Sequence, residues 1–288
     1  MKRFALCLFL ATAAPAAAQD LGGGTLSEVP ESVYGEPRVQ TPGSGFNEGA
    51  VHLGISVRYA TDYVFRGLEI VEPQTSEDAT NVGVDATLNF DLGRLPDPYV
   101  RLITNSAEGD DFSNFQVIRP IVGLAFENEA FDLKLAHQSF TYPDRTGLDT
   151  SEIFGEVHFN DAILGGERGR VFGPYLFAAY DYDTFEGTYV EGGLRRSERV
   201  GDSALTLGYE AHVAYVDGLG DLFGGDGSGF QHWQVGVLAS YDLNDLLNIS
   251  RRFGRFSVEG QLYYTDGIED DLAAETQLWG GGGIAFRY

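Results

Sequence analysis

From residue 50 to the end of the chain, apolar and polar side chains change places at almost every step, and few folds satisfy that pattern. Val51, Leu53, Ile55, Val57 and Tyr59 are apolar, while His52, Gly54, Ser56, Arg58 and Ala60 between them are polar or small. Val82, Val84, Ala86, Leu88 and Phe90 alternate with Gly83, Asp85, Thr87 and Asn89. Leu205, Leu207, Tyr209, Ala211, Val213 and Tyr215 alternate with Thr206, Gly208, Glu210, His212 and Ala214. Successive side chains of an extended chain point to opposite faces, so each such run is a strand with one greasy and one polar face.

Twelve runs fit, near residues 50–66, 80–92, 99–106, 114–126, 130–141, 151–160, 171–182, 187–197, 203–216, 230–243, 255–266 and 276–288. The third and fourth are the weakest, because Ile103 and Ile121 break the alternation. Strands of a soluble sandwich are about five or six residues long. A tilted strand crossing hydrocarbon needs about 9–11, and most of these runs reach that length. An even number of antiparallel strands closes a barrel with both chain ends on one side. Tyr59, Tyr63, Tyr180, Tyr182, Tyr189, Tyr263 and Tyr264 gather near strand ends, where a ring with one wet edge suits the headgroup level. The expected fold is all-β: a transmembrane antiparallel up-and-down β-barrel of about twelve strands. No apolar run after the first twenty residues is long enough for a membrane-spanning helix.

Three segments divide the chain. Met1-Lys2-Arg3, the apolar run Phe4–Ala13 and the small residues Ala16-Ala17-Ala18 read as a signal peptide over residues 1–18. Residues 19–49 carry Pro, Gly and Ser without periodicity and read as a flexible periplasmic segment. Residues 50–288 form the barrel. Cys7, the single cysteine, falls in the signal, so no disulfide is expected. These features point to the outer membrane of a Gram-negative bacterium, with membrane lipids and lipopolysaccharide as surroundings and the barrel-assembly machinery as a partner. A net charge of −24 argues against a nucleic-acid partner.

The last strand ends in Gly283-Ile284-Ala285-Phe286-Arg287-Tyr288. Gly283, Phe286 and the terminal Tyr288 resemble the C-terminal signal by which barrel substrates are recognised for assembly. Residues Ala60-Thr61-Asp62-Tyr63-Val64-Phe65-Arg66-Gly67, with Pro73-Gln74 after them, resemble the TorF-like porin family over the first hairpin. Thr61, Leu68 and Glu69 depart from the family's pattern. The resemblance implies an outer-membrane barrel with a channel role and supplies no catalytic residues. Read from the residues alone, Asp62 and Arg66 form an ion pair at the lumen or rim.

Charge separates by side. Arg94, Arg168, Arg170, Arg195, Arg196, Arg199, Arg251, Arg252 and Arg255 cluster at or beside one set of turns. Acids such as Glu69, Glu72, Glu108, Asp217, Asp221 and Glu269 hold the other set, which suits a vestibule that enriches cations. Alternation predicts Arg58, Asp85, Asp91, Arg101, Asp132, Lys134, Glu156, Glu191, Arg195, Glu210 and Glu259 as pore-lining. The expected function is a porin passing small polar solutes with a tilt toward cations. Two alternatives stand beside it. A closed structural or adhesion barrel is one. The other is a lipid hydrolase: His137-Gln138-Ser139 resembles the His-x-Ser of outer-membrane phospholipases, although Phe140-Thr141 replace the following Asn-Gly. No catalytic residue is assigned, no cofactor pattern is present, and His52, His158, His212 and His232 show no metal-ligand spacing along the chain. Asp217-Gly218-Leu219-Gly220-Asp221 reads as an acidic loop and departs from the EF-hand spacing.

Overall fold

The computed structural model describes residues 51–62, 64–69, 80–93, 95–109, 112–128, 130–143, 145–161, 172–218, 227–269, 272, 274 and 276–288. The assigned signal peptide and N-terminal segment lie outside these residues, as do Arg94, Arg168, Arg170, Glu72 and Asp221. The strands are β1 (Val51–Ala60), β2 (Val64–Phe65), β3 (Leu68–Glu69), β4 (Thr80–Phe90), β5 (Asp97–Gly109), β6 (Phe112–Glu127), β7 (Phe131–Phe140), β8 (Thr150–Phe159), β9 (Pro174–Asp181), β10 (Thr188–Arg199), β11 (Leu205–Asp217), β12 (Gly229–Asp242), β13 (Arg255–Gly267) and β14 (Gln277–Arg287). Twelve of them close an antiparallel barrel in chain order, with β1 paired to β4 on one side and β14 on the other. Closure leaves no free sheet edge, so backbone N–H and C=O groups of the wall are paired within the sheet.

Burial follows the alternation. On β11, Thr206, Glu210, His212, Ala214 and Val216 are buried inside, while Tyr209 and Val213 are exposed outside. Ile55, Val57, Leu102, Leu124, Leu135, Ile153, Leu176, Leu194, Val237 and Ile284 spread the exposed apolar surface around the outer wall. Ile103 and Ile121 do face inward, against the pattern of their strands, and both pack in an apolar cluster within the barrel.

Three lumen tyrosines explain several glycines of the wall. Tyr99 lies opposite Gly123, Tyr175 opposite Gly193, and Tyr263 opposite Gly236 in the strand ladders. A Cβ at Gly123, Gly193 or Gly236 would come within 2.7, 2.8 and 2.1 Å of the paired ring. Each ring therefore lies flat across the backbone of its partner strand, a cross-strand packing that only a missing side chain permits. Gly283 acts differently. It stands between Arg58 on β1 and Glu259 on β13, and a Cβ there would sit 2.8 Å from Arg58 Cγ. The glycine lets the arginine cross β14 to its carboxylate.

Two expectations are corrected. The first strand stops at Ala60 rather than running to residue 66, and the chain turns to form β2 and β3 as a separate hairpin. The third and fourth strands run past the expected 99–106 and 114–126: β5 reaches Gly109 and β6 begins at Phe112.

Candidate functional site: the barrel lumen

The β2–β3 hairpin lies within the barrel. Phe65 pairs with Leu68, leaving Arg66-Gly67 as a two-residue turn, and both turn residues have positive φ, 50° and 77°. That geometry is the one that matches the twist of a tight hairpin. In a non-glycine residue it costs of order 1–3 kcal/mol and persists only where the surroundings enforce it. The enforcement is visible. Arg66 Nη2 donates to both carboxylate oxygens of Glu152 on β8, at 2.7 and 2.8 Å. Its guanidinium lies 4.6 Å from the Tyr189 ring centroid and 5.2 Å from that of Phe65. Gln138 also donates to Glu152, and Arg119 donates to Gln138 Oε1 at 3.0 Å. Asp62 instead accepts from Thr61 Oγ1, so the expected Asp62–Arg66 pair is replaced by Arg66–Glu152. An inward hairpin carries its guanidinium to the far wall, away from its sequence neighbour.

Apolar residues complete this half of the lumen, called here the hairpin half. Phe65 packs edge-on against Phe140 with centroids 5.6 Å apart, in a cluster with Ala107, Phe115 and Val117. Val64 joins Leu238, Tyr263 and Trp279. Gly67 sits against His232, where a Cβ would meet the ring at 2.4 Å.

The other half, toward the end that carries Tyr288, is lined by charge. Arg58 and Arg287 bridge Glu259 at 3.1 and 2.8 Å, and Arg101 Nε pairs with Asp85 at 2.9 Å. Glu156 meets His158 Nε2 at 2.5 Å. Arg195 reaches Glu210 at 3.1 Å and Glu156 at 3.6 Å, with its guanidinium 4.6 Å from the Tyr175 centroid. Buried ions require such partners, because the desolvation of an unpaired one costs several kcal/mol.

Of the eleven residues expected to line the pore, Arg58, Asp85, Arg101, Glu156, Glu191, Arg195 and Glu210 are buried on the inner face. Asp132, Lys134 and Glu259 share that face and are half-buried. Asp91 lies past the end of β4, where it accepts from the Gly93 backbone N–H at 2.8 Å and caps the turn. Gly283 faces the lumen, whereas Phe286 faces outward and packs on Phe256 at 4.8 Å. Reasoning along the chain missed a second grouping: Glu191 comes beside Glu210 and His212, with ligand-capable atoms of all three within 4.8 Å. The Glu-x-His spacing on one strand face was the available signal. Glu191 joins only through strand pairing.

On the outer wall, His137 and Ser139 are not each other's partners. His137 Nε2 lies 2.6 Å from the Tyr182 hydroxyl, and Ser139 Oγ lies 3.1 Å from Ser151 Oγ.

No known family profile matches the chain, and no curated protein matches it. Solved structures do. The KdgM porin in complex with disordered oligogalacturonate is similar over 81% of this chain and 98% of its own, at 10% identity and a TM-score of 0.47. LpxR from Salmonella typhimurium is similar over 82% and 99%, at 12% identity and a TM-score of 0.46. Salmonella typhi OmpF in complex with daunomycin is similar over 83% and 97%, at 10% identity and a TM-score of 0.36.

Proposed function

We propose that the chain is an outer-membrane channel, exported by its first eighteen residues, that lets small polar solutes diffuse passively through a narrow lumen and favours cations. One observation carries the reading. The inner wall of the half toward Tyr288 is lined by charged, mutually paired side chains such as Arg58, Glu259, Arg101 and Asp85, where the interior of a soluble barrel would be apolar. The β2–β3 hairpin narrows the other half. Acids at the hairpin-side loops, Asp217 and Glu269 among them, raise local cation concentration and supply the selectivity.

Single-channel recording of the purified, folded protein tests the proposal: discrete conductance steps with a cation-selective reversal potential are expected. Lack of steps would remove the pore and favour a closed structural barrel. Replacing Asp217 and Glu269 by Lys should shift the reversal potential toward anions; an unmoved potential would remove the acidic loops as the selectivity element.

The rival reading is lipid hydrolysis at His137 and Ser139. Its support is the placement of both residues on the lipid-facing side, beside the exposed Ile153 and Leu135. Ester hydrolysis that disappears in Ser139→Ala would establish it against the channel. Hydrolysis unchanged in that variant, or none at all, would dismiss it.

A further inference from the structure

Glu191 on β10 and Glu210 and His212 on β11 converge inside the barrel, and all three are buried. The far oxygen of each carboxylate is already engaged. Glu191 Oε2 accepts from the Tyr189 hydroxyl at 2.9 Å, and Glu210 Oε2 accepts from Arg195 Nε at 3.1 Å. The near atoms face one another. His212 Nδ1 lies 3.3 Å from Glu210 Oε1 and 3.5 Å from Glu191 Oε1. The Tyr175 hydroxyl donates to Glu191 Oε1 as well.

His212 Nε2 lies 3.4 Å from His232 Nε2, so Nδ1 is the nitrogen that faces the two carboxylate oxygens. Two buried carboxylates and an imidazole converge at such distances only with a cation among them, either a proton or a metal ion. Glu191 adds to the demand: among the described residues its partners are the hydroxyls of Tyr175 and Tyr189 and the His212 ring, with neither guanidinium nor ammonium upon it.

We propose that Glu191 Oε1, Glu210 Oε1 and His212 Nδ1 bind a divalent transition-metal ion of the zinc class. Ligand atoms bound tetrahedrally at about 2.1 Å stand about 3.4 Å apart, close to the 3.3 and 3.5 Å from His212 Nδ1 to the two oxygens, and all three atoms lie within 4.8 Å of one another. Imidazole with carboxylates suits zinc, cobalt or nickel better than calcium or magnesium, which favour all-oxygen shells. Tyr189, Arg195 and His232 are positioning residues: each holds the non-ligating atom of one ligand and so fixes its orientation. The site would tie β10 to β11 through the lumen wall. It rests on the barrel and is independent of whether the lumen conducts.

The test uses the full chain folded in detergent, with Co2+ and Zn2+ as probes. One Co2+ per barrel should give the visible bands of a low-coordinate ion, displaced by Zn2+. His212→Gln should abolish the bands, Tyr189→Phe should weaken binding roughly 10–100-fold, and Asp202→Asn in the exposed turn between β10 and β11 should leave it unchanged. Nitrogen-15 NMR of labelled histidine on the unaltered chain decides the matter even where a variant fails to fold. Added Zn2+ should move the His212 Nδ1 resonance to that of a metal-bound nitrogen. A resonance that stays that of a protonated imidazolium whatever metal is added, with no Co2+ bands, would overturn the proposal: a proton would then be the bridging cation.

Discussion

The two halves of the lumen are built from the same twelve alternating strands and filled in opposite ways. In the hairpin half, chain from the first loop folds back inside and brings Val64, Phe65, Arg66 and Leu68 with it, all buried. In the half toward Tyr288, the wall's own side chains pair across neighbouring strands, as Arg195 does with Glu210. Alternation dictates which face a residue occupies. What fills the space behind that face is set by a separate segment with its own geometry.

The largest effect is expected from removing that segment. Replacing Val64–Glu69 with a short Gly-Ser link should raise single-channel conductance several-fold, because the charged half alone would then set the bore. Unchanged conductance would show that the hairpin is not the constriction. Next comes its anchor. Glu152→Ala strands the Arg66 guanidinium in a buried site and should cost about 3–5 kcal/mol in unfolding free energy, read by urea titration of tryptophan emission. Arg66→Leu combined with Glu152→Leu should recover much of that loss, since breaking one partner is worse than replacing both. A smaller loss belongs to the outside of the wall: Ile153→Arg should cost about 2–4 kcal/mol in a bilayer, the expense of a cation at mid-depth. A change near zero there would mean that this face does not meet lipid. The smallest concerns the tyrosine platforms. Gly236→Ala pushes a methyl into the Tyr263 ring and should cost about 1–3 kcal/mol through overpacking.

Much of the wall was legible from the sequence because each strand repeats a period of two over many residues, so a single exception does little harm. Ile103 and Ile121 were such exceptions, and they mark where the lumen is apolar. The hairpin was not legible. Tyr63, Phe65 and Gly67 continue the parity of Tyr59, so the alternation ran on past the end of β1 at Ala60 and into the turn that Arg66 and Gly67 make with positive φ. An Arg-Gly turn is a weak hairpin signal beside Asn-Gly, and its enforcement comes from Glu152, distant in sequence. The Glu191, Glu210 and His212 group was half legible for a related reason. Two members share one strand face, and the third arrives through a ladder partner that spacing along the chain does not reveal. The charged lining was read from parity alone, and only Asp91 lies off the barrel wall, beyond the end of its strand.

Arg66 starts from the loop after β1 and ends on β8, which stands five strands from β1 by one route around the wall and seven by the other. The link is thus close to a diameter. A hollow tube of one sheet thickness ovalises easily when squeezed from the side. A tie across the middle resists that flattening, so the guanidinium that holds the hairpin in place also braces the wall around it.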